Sequence, residues 1–168
     1  SIPSGEITYE RLFRTLPFDN TVMKIRTTGK ELKLLLRIAQ SGAKGFYSVS
    51  GVRLWLLDLS VDAPTEDLDK NGQIEAWEVN RFVDAQLEDG SPIEDGKTYT
   101  VATLDFLVQG GDYMRWWMSR LKPEQISYDK TPSLRVVVER AIVEHKGPLN
   151  SVSAPLVSGT APRLNWVK

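Results

Sequence analysis

Side chains suited to binding a small molecule lie close together between Phe106 and Asp112. Phe106 offers a flat aromatic face, and the Asp112 carboxylate can accept hydrogen bonds from hydroxyl groups. Gly110 and Gly111, just before Asp112, can take positive φ and let the backbone approach a ligand. Together these residues could hold a planar ring on one side and hydroxyls on the other. The alternative is structural: a strand-to-helix turn with a buried Phe106 and a helix-capping Asp112.

Oxygen-bearing side chains recur at regular spacing between residues 67 and 78. The spacing matches the twelve-residue calcium loop of EF-hand proteins, with Gly72 at the sharp turn and Ile74 where such loops place an apolar residue facing inward. Six residues are the predicted Ca²⁺ ligands: Asp67, Asp69 and Asn71 through their side chains, Gln73 through its backbone carbonyl, Glu75 directly or through water, and Glu78 through both carboxylate oxygens.

This loop could also be a solvated acidic turn with a hairpin at Asn71-Gly72. Calcium is favoured because clustered carboxylates repel one another when no cation is bound. Calcium sensors usually pair two loops and open a Met-rich groove. This chain has one such loop and 3 Met, so the predicted role of Ca²⁺ is structural.

Strands and helices that position these residues follow from hydrophobic periodicity. Helices are predicted over residues 9–14, 30–40, 112–120 and 132–144, and strands over 21–27, 52–59, 83–87, 97–106 and 164–167. The strand at 97–106 is expected to be buried. The spacing of apolar residues over 79–87 fits a helix as well as a strand. Asp89-Gly90 is a hairpin signal, which favours a strand over 83–87 with residues 97–106 returning beside it. The predicted fold class is α+β, a mixed or antiparallel sheet packed with helices, in a single domain over residues 1–168.

Composition excludes several classes of function. A net charge of −1, with no run rich in Lys or Arg, argues against binding of nucleic-acid polymers, and no apolar stretch is long enough for membrane insertion. The chain has no Cys and a single His, which excludes thiolate chemistry and a His-rich metal site. It begins at Ser1 without an initiating Met, so we expect it to be a fragment of a longer protein.

Six motifs, in this order and spacing, resemble the C-terminal domain of the 5′-nucleotidase family, which includes bacterial UDP-sugar hydrolases and 2′,3′-cyclic-nucleotide phosphodiesterases. They are Gly5-Glu-Ile-Thr8, Leu16-Pro-Phe-Asp-Asn20, Thr28-Gly-Lys-Glu-Leu32, Gly51-Val-Arg-Leu54, Gly96-Lys-Thr-Tyr-Thr-Val-Ala-Thr-Leu-Asp-Phe106 and Gly110-Gly-Asp112. In that family the N-terminal domain is a dinuclear metallophosphatase, and the C-terminal domain binds the base and sugar of the substrate.

The resemblance implies a nucleotide or nucleoside ligand for this chain. Phe46 and Phe106 would be the two faces of an aromatic clamp on the base, and Asp112 would accept hydrogen bonds from the ribose hydroxyls. No catalytic residue is expected in this segment, which by itself should be inactive. The divalent catalytic metals would belong to the N-terminal metallophosphatase domain, the partner of this one. A role in nucleotide catabolism and a periplasmic or extracellular location are also implied.

The chain departs from the family at three points. The family's Asn-Gly-Gly-…-Ile-Arg segment would lie before Ser1, and the glycine expected after Asp112 is Tyr113. The calcium loop is interpreted as an insertion between two family strands. A second hypothesis is therefore a non-enzymatic, calcium-stabilised binding or adhesion module on the same fold.

Overall fold

The structure is a computed structural model that describes residues 5–127, 132–149 and 162–168. The rest of the predicted single domain lies outside the described residues. In chain order, the elements are α1 (Tyr9–Thr15), β1 (Val22–Thr28), α2 (Gly29–Ala39), β2 (Val52–Leu57), β3 (Phe82–Leu87), β4 (Thr98–Leu104), α3 (Asp105–Val108), α4 (Arg115–Met118), β5 (Ile126–Ser127), α5 (Leu134–His145) and β6 (Leu164–Val167). Single 3-10 turns cover Ala76–Glu78 and Pro123–Gln125.

The strands form two three-stranded sheets, where the sequence predicted one. The first sheet, in the order β4-β1-β5, is antiparallel. The second has the order β3-β2-β6, with β3 antiparallel and β6 parallel to β2. Mixed and antiparallel sheets packed with helices confirm the predicted α+β class.

The expected hairpin between residues 83–87 and 97–106 is wrong. The turn at Asp89-Gly90 forms, with the Gly90 N–H donating to the Leu87 carbonyl, but β4 pairs with β1 in the other sheet. Pro92 follows the turn and has no N–H to extend a ladder. Ile93 is then buried in the core, which directs the chain away from β3. β4 is also an edge strand with one exposed face, not the buried strand that was predicted.

Helix α2 contributes to both apolar clusters of the core. Leu32 and Leu36 pack with residues of the second sheet, such as Leu54, in the second-sheet cluster. Ile38 and Ala39 pack instead with Ile25 of β1, Trp77 and Trp117 in the first-sheet cluster. This helix therefore joins the two sheets through its apolar side chains.

Gly29, the first residue of α2, lies too close to neighbouring backbone for any side chain to fit. The Gly29 N–H donates to the Lys97 carbonyl at 2.9 Å, and a Cβ atom added at Gly29 would overlap the carbonyl group of Glu94. The Thr28 side chain caps the helix by accepting from the Glu31 N–H. The chain before β4 thus lies directly against the beginning of α2.

We expect Gly29→Ala to destabilise the fold by about 1–3 kcal/mol, because the added methyl group must displace backbone atoms. Gly96→Ala is the matched control, since a Cβ there meets nothing within 4 Å. Urea denaturation of both variants measures the difference. Equal unfolding midpoints for the two variants would contradict the close contact at Gly29.

Candidate functional site

The residues singled out at the end of β4 lie on a short helix and a turn, with boundaries that differ from the prediction. β4 ends at Leu104, and Phe106 lies on α3. Helix α4 begins only at Arg115, so the predicted helix over 112–120 is wrong at both ends and Asp112 does not cap it. Phe106 is 46% exposed. Both parts of the structural alternative, a buried phenylalanine and a capping aspartate, therefore fail.

The turn from Gly110 to Tyr113 has an unusual backbone. Gly110 has φ 91°, and Asp112 and Tyr113 have φ 49° and 66°. Residues other than glycine in this left-handed region cost about 1–2 kcal/mol each. Tyr113, which stands in place of the glycine expected from the resemblance, nevertheless has a conformation that glycine adopts without strain.

Gly111 lies against the ring of Phe106. A Cβ atom built on Gly111 would overlap the ring atoms, so only glycine permits this approach. The backbone of the turn therefore covers part of Phe106 and leaves the remaining surface of the ring to solvent. The glycine pair was expected to let the backbone approach a ligand, whereas the group that Gly111 approaches in the structure is the Phe106 ring of the chain itself.

The segment that carries Phe46 meets this turn at two points. The Tyr47 hydroxyl donates a hydrogen bond to Asp112 Oδ2 at 2.9 Å, and Lys44 Nζ lies 5.6 Å from the centre of the Tyr113 ring. Burial raises the pKa of Tyr47 well above its usual value, and the hydrogen bond and negative charge of Asp112 raise it further. Tyr47 is therefore a protonated donor across the physiological pH range.

Phe46 and Tyr47 pack into different parts of the core. Phe46 packs with the second-sheet cluster and meets the edge of Trp166, with ring centroids 4.9 Å apart. Tyr47 packs with the first-sheet cluster. In the described part of the chain, the ring contacts do not include a Phe46–Phe106 pair. The structure thus brings Tyr47, the neighbour of Phe46, into contact with Asp112, while Phe46 itself packs against Trp166.

Sequence reasoning missed Tyr47 and Trp166 as neighbours of this site. The contact of Tyr47 with Asp112 joins residues that are 65 positions apart in the chain. Trp166 lies on β6, whose parallel pairing with β2 brings the C-terminal strand close to Phe46. Nothing in local spacing marks either contact.

The predicted calcium loop brings three carboxylates together. Oxygen atoms of Asp67, Asp69 and Glu78 all lie within 4.8 Å of one another. Glu78 is fully buried, and its two oxygens accept from the Leu68 and Glu75 N–H groups. Burial works against ionisation, but backbone N–H groups, first that of Glu75, hold the pKa of Glu78 below its usual value.

The remaining predicted ligands line the same loop. Gly72 has φ 83°, and its N–H donates to Asp67 Oδ2 at 2.8 Å, which closes the sharp turn. The Asn71 amide group donates to Asp69 and to Glu75, and its oxygen accepts from the Gln73 N–H. The Glu75 Oε2 atom is buried without a hydrogen-bond partner.

Ile74 does not face inward as expected. Its side chain is 51% exposed. The apolar anchors of the loop are instead Leu68 and Trp77, which pack with the first-sheet cluster.

The predicted calcium loop and the turn at Asp112 share a cleft. The Trp77 and Trp116 rings are 5.7 Å apart, and the Arg120 guanidinium lies 4.9 Å from the centre of the Trp116 ring. The walls of this cleft include Asp69 from the loop and Gly110 from the turn. A cavity of about 540 Å³ lies between the sheets, and its lining includes Tyr47 but not Phe46, Phe106 or Asp112.

The geometry defines a two-sheet α+β domain with an aromatic and carboxylate cluster at the end of β4. A protein-family model described as the 5′-nucleotidase, C-terminal domain, matches residues 1–119. The chain belongs to this family. The match confirms the resemblance stated above for the domain, whereas the calcium loop is a separate matter that it does not address.

Individual proteins agree with this assignment. Protein UshA of Salmonella pullorum is 33% identical over 113 residues, which cover 67% of this chain and 17% of UshA. Protein UshA of Escherichia coli K12 is 28% identical over 152 residues, 89% of this chain and 23% of UshA. The chain thus spans about a fifth of the length of these relatives.

The solved structure of a 5′-nucleotidase precursor from Thermus thermophilus has the same fold. It superimposes with a TM-score of 0.70 at 23% identity, covering 98% of this chain and 29% of that protein. At this identity the likeness concerns the fold alone. Within the described ranges, no helix is both long and apolar enough to cross a lipid bilayer.

Proposed function

We propose that this domain binds the nucleoside part of the substrate of a 5′-nucleotidase-type phosphohydrolase. The base stacks between Phe46 and Phe106, the ribose hydroxyls donate to Asp112, and Gly110 and Gly111 let the ligand approach the backbone. The observation that carries the proposal is the Tyr47–Asp112 hydrogen bond, which places the Phe46 segment against the turn that follows Phe106. Family membership and the 46% exposure of Phe106 support it.

Stacking suits a domain that accepts several bases, because every base offers a π-face. The carboxylate of Asp112 adds recognition of the sugar, since an ionised oxygen accepts strong hydrogen bonds from hydroxyl groups. Neither contact touches a phosphate. The domain therefore supplies affinity and orientation, and the chemical step is left to other parts of the protein.

The proposal places catalysis in an N-terminal metallophosphatase domain. Divalent metal ions there would activate the attacking water, and this chain would contribute no catalytic residue. The parent protein would act in nucleotide catabolism in the periplasm or outside the cell. The relation to UshA and to a 5′-nucleotidase precursor supports this assignment.

Titration of the full chain with adenosine tests the nucleoside site. Phe46→Ala and Phe106→Ala should each weaken binding by roughly 1–3 kcal/mol, because each removes one stacking face. Phe18→Ala is the control, since Phe18 is 73% exposed and lies outside the site. Isothermal titration calorimetry gives the three affinities. No binding to the unmodified chain at millimolar adenosine would reject the nucleoside function and favour the calcium-stabilised binding or adhesion module.

We also propose that the loop from Asp67 to Glu78 binds one structural Ca²⁺. The three clustered carboxylates supply hard oxygen ligands, and the buried, unpartnered Glu75 Oε2 is a polar atom that a cation or its water would satisfy. Asn71 and the Gln73 carbonyl complete the proposed ligand set. Because Leu68 and Trp77 of this loop pack in the core, an ion that orders the loop would also stabilise the packing of the core.

Thermal melting with Ca²⁺ and with a chelator tests this site. At a Ca²⁺ concentration about 100 times its Kd, we expect the midpoint to rise by about 5–10 °C, because the ion binds the folded state selectively. Glu78→Gln should remove the Ca²⁺-dependent rise, and Glu144→Gln on the exposed face of α5 should retain it. An unchanged midpoint, together with no heat of Ca²⁺ binding by calorimetry, would reject the site.

A further inference from the structure

Tyr47 is itself held in place by a buried side chain of α2. Gln40, the residue at the end of that helix, is fully buried, and its Nε2 atom donates to the Tyr47 carbonyl at 2.9 Å. The ring of Tyr47 packs with the first-sheet cluster. The backbone and the ring of Tyr47 are therefore both held by contacts that do not involve its hydroxyl group. The hydroxyl is thus a donor in a fixed position.

The residue that Tyr47 contacts needs such support. Asp112 has a left-handed backbone at φ 49°, and Tyr113 beside it has φ 66°. A turn with two strained residues persists only when its surroundings determine it. Tyr47 and Lys44 provide two contacts from one segment, a hydrogen bond to Asp112 and a cation over the ring of Tyr113.

The hydrogen bond from Tyr47 also makes the two oxygens of the Asp112 carboxylate inequivalent. Tyr47 occupies Asp112 Oδ2, and among the described residues no second donor forms a hydrogen bond with this carboxylate. A carboxylate has two oxygens and about four acceptor positions, so Oδ1 keeps its capacity for further donors. Because the side chain is fixed through Oδ2, its rotation about the last torsion is restricted as well.

We propose that Tyr47 is a positioning residue for sugar recognition: its hydroxyl fixes Asp112 Oδ2 so that Oδ1 accepts from the ribose hydroxyls. This inference rests on the proposed nucleoside function and deepens it. It also links the two halves of the site, since Tyr47 adjoins Phe46 and contacts the residue that binds the sugar. The raised pKa of Tyr47 keeps the donor proton in place.

The distinguishing consequence is a change in sugar recognition that leaves base stacking intact. Tyr47→Phe keeps the ring in the core and removes only the hydroxyl. We expect the preference for adenosine over 2′,3′-dideoxyadenosine to fall by about tenfold, because the hydrogen bond that orients a charged acceptor is lost. Affinity for 2′,3′-dideoxyadenosine, which lacks the hydroxyls that Asp112 would bind, should be unchanged.

Calorimetric titration of the full chain with both nucleosides tests the inference in a double-mutant cycle. Asp112→Asn should abolish most of the preference, and Tyr47→Phe combined with Asp112→Asn should add nothing further. Tyr9→Phe, on the exposed surface of α1, is the matched control and should behave as the unmodified chain.

Two results would overturn the inference while leaving the nucleoside function standing. In the first, Tyr47→Phe retains the full preference for adenosine. In the second, it weakens both nucleosides equally, which indicates a merely structural role. If the unmodified chain binds neither nucleoside, the proposed function fails, and this inference fails with it.

A measurement on the unmodified chain covers the case in which Tyr47→Phe does not fold. Tyrosine labelled with ¹³C at the ζ carbon reports on the hydroxyl group by NMR. Adenosine should shift the Tyr47 signal, because its sugar hydroxyls would bind the same Asp112 carboxylate through Oδ1. The compound 2′,3′-dideoxyadenosine should leave the signal nearly unchanged. Equal shifts with the two ligands would contradict the positioning role.

Discussion

The packing of α2 between the two sheets is the constraint on which the rest of the molecule depends. Its apolar side chains enter both core clusters, and its polar groups then hold the functional segments. The Glu31 carbonyl accepts from Trp117 Nε1, and the Glu31 carboxylate binds Arg120 through two hydrogen bonds. At the other end of the helix, Gln40 binds the Tyr47 carbonyl. One helix thus fixes both sides of the proposed nucleoside site.

The same helix reaches the calcium loop. Arg37 forms an ion pair at 2.7 Å with Glu66, the residue before the first predicted ligand, Asp67. The Arg37 side chain is largely buried, but that of Glu66 is 62% exposed, so the pair adds little to stability and mainly holds the loop near α2. Together with the contact between the Trp77 and Trp116 rings, this ion pair connects the loop to the same scaffold as the turn at Asp112. The loop between β2 and β3 is therefore packed against the core.

Local features could be predicted from the sequence, and long-range ones could not. The EF-hand spacing predicted the positions of Asp67 and Glu78 in one cluster because all its contacts lie within a short stretch. The strand β3 was also predicted, but its pattern fitted a helix equally well, and the choice rested on a hairpin with residues 97–106 that does not form. The partner of β4 was not predicted correctly. Ile93 is buried in the core between the turn and β4, and β4 pairs with β1 instead of β3. The Tyr47–Asp112 hydrogen bond could not be predicted from the sequence for a related reason. It joins two segments that are distant in the chain and meet only in the folded protein.

The central claim is that the Phe46 segment and the turn at Asp112 form one nucleoside site. A map of backbone amide chemical shifts, recorded by NMR as adenosine is added to the full chain, tests it most directly. We predict that the shifted signals cluster on residues 44–47, on Phe106 and on residues 110–113. Shifts centred instead on the cavity between the sheets, at Val52 and Val101, would contradict the account.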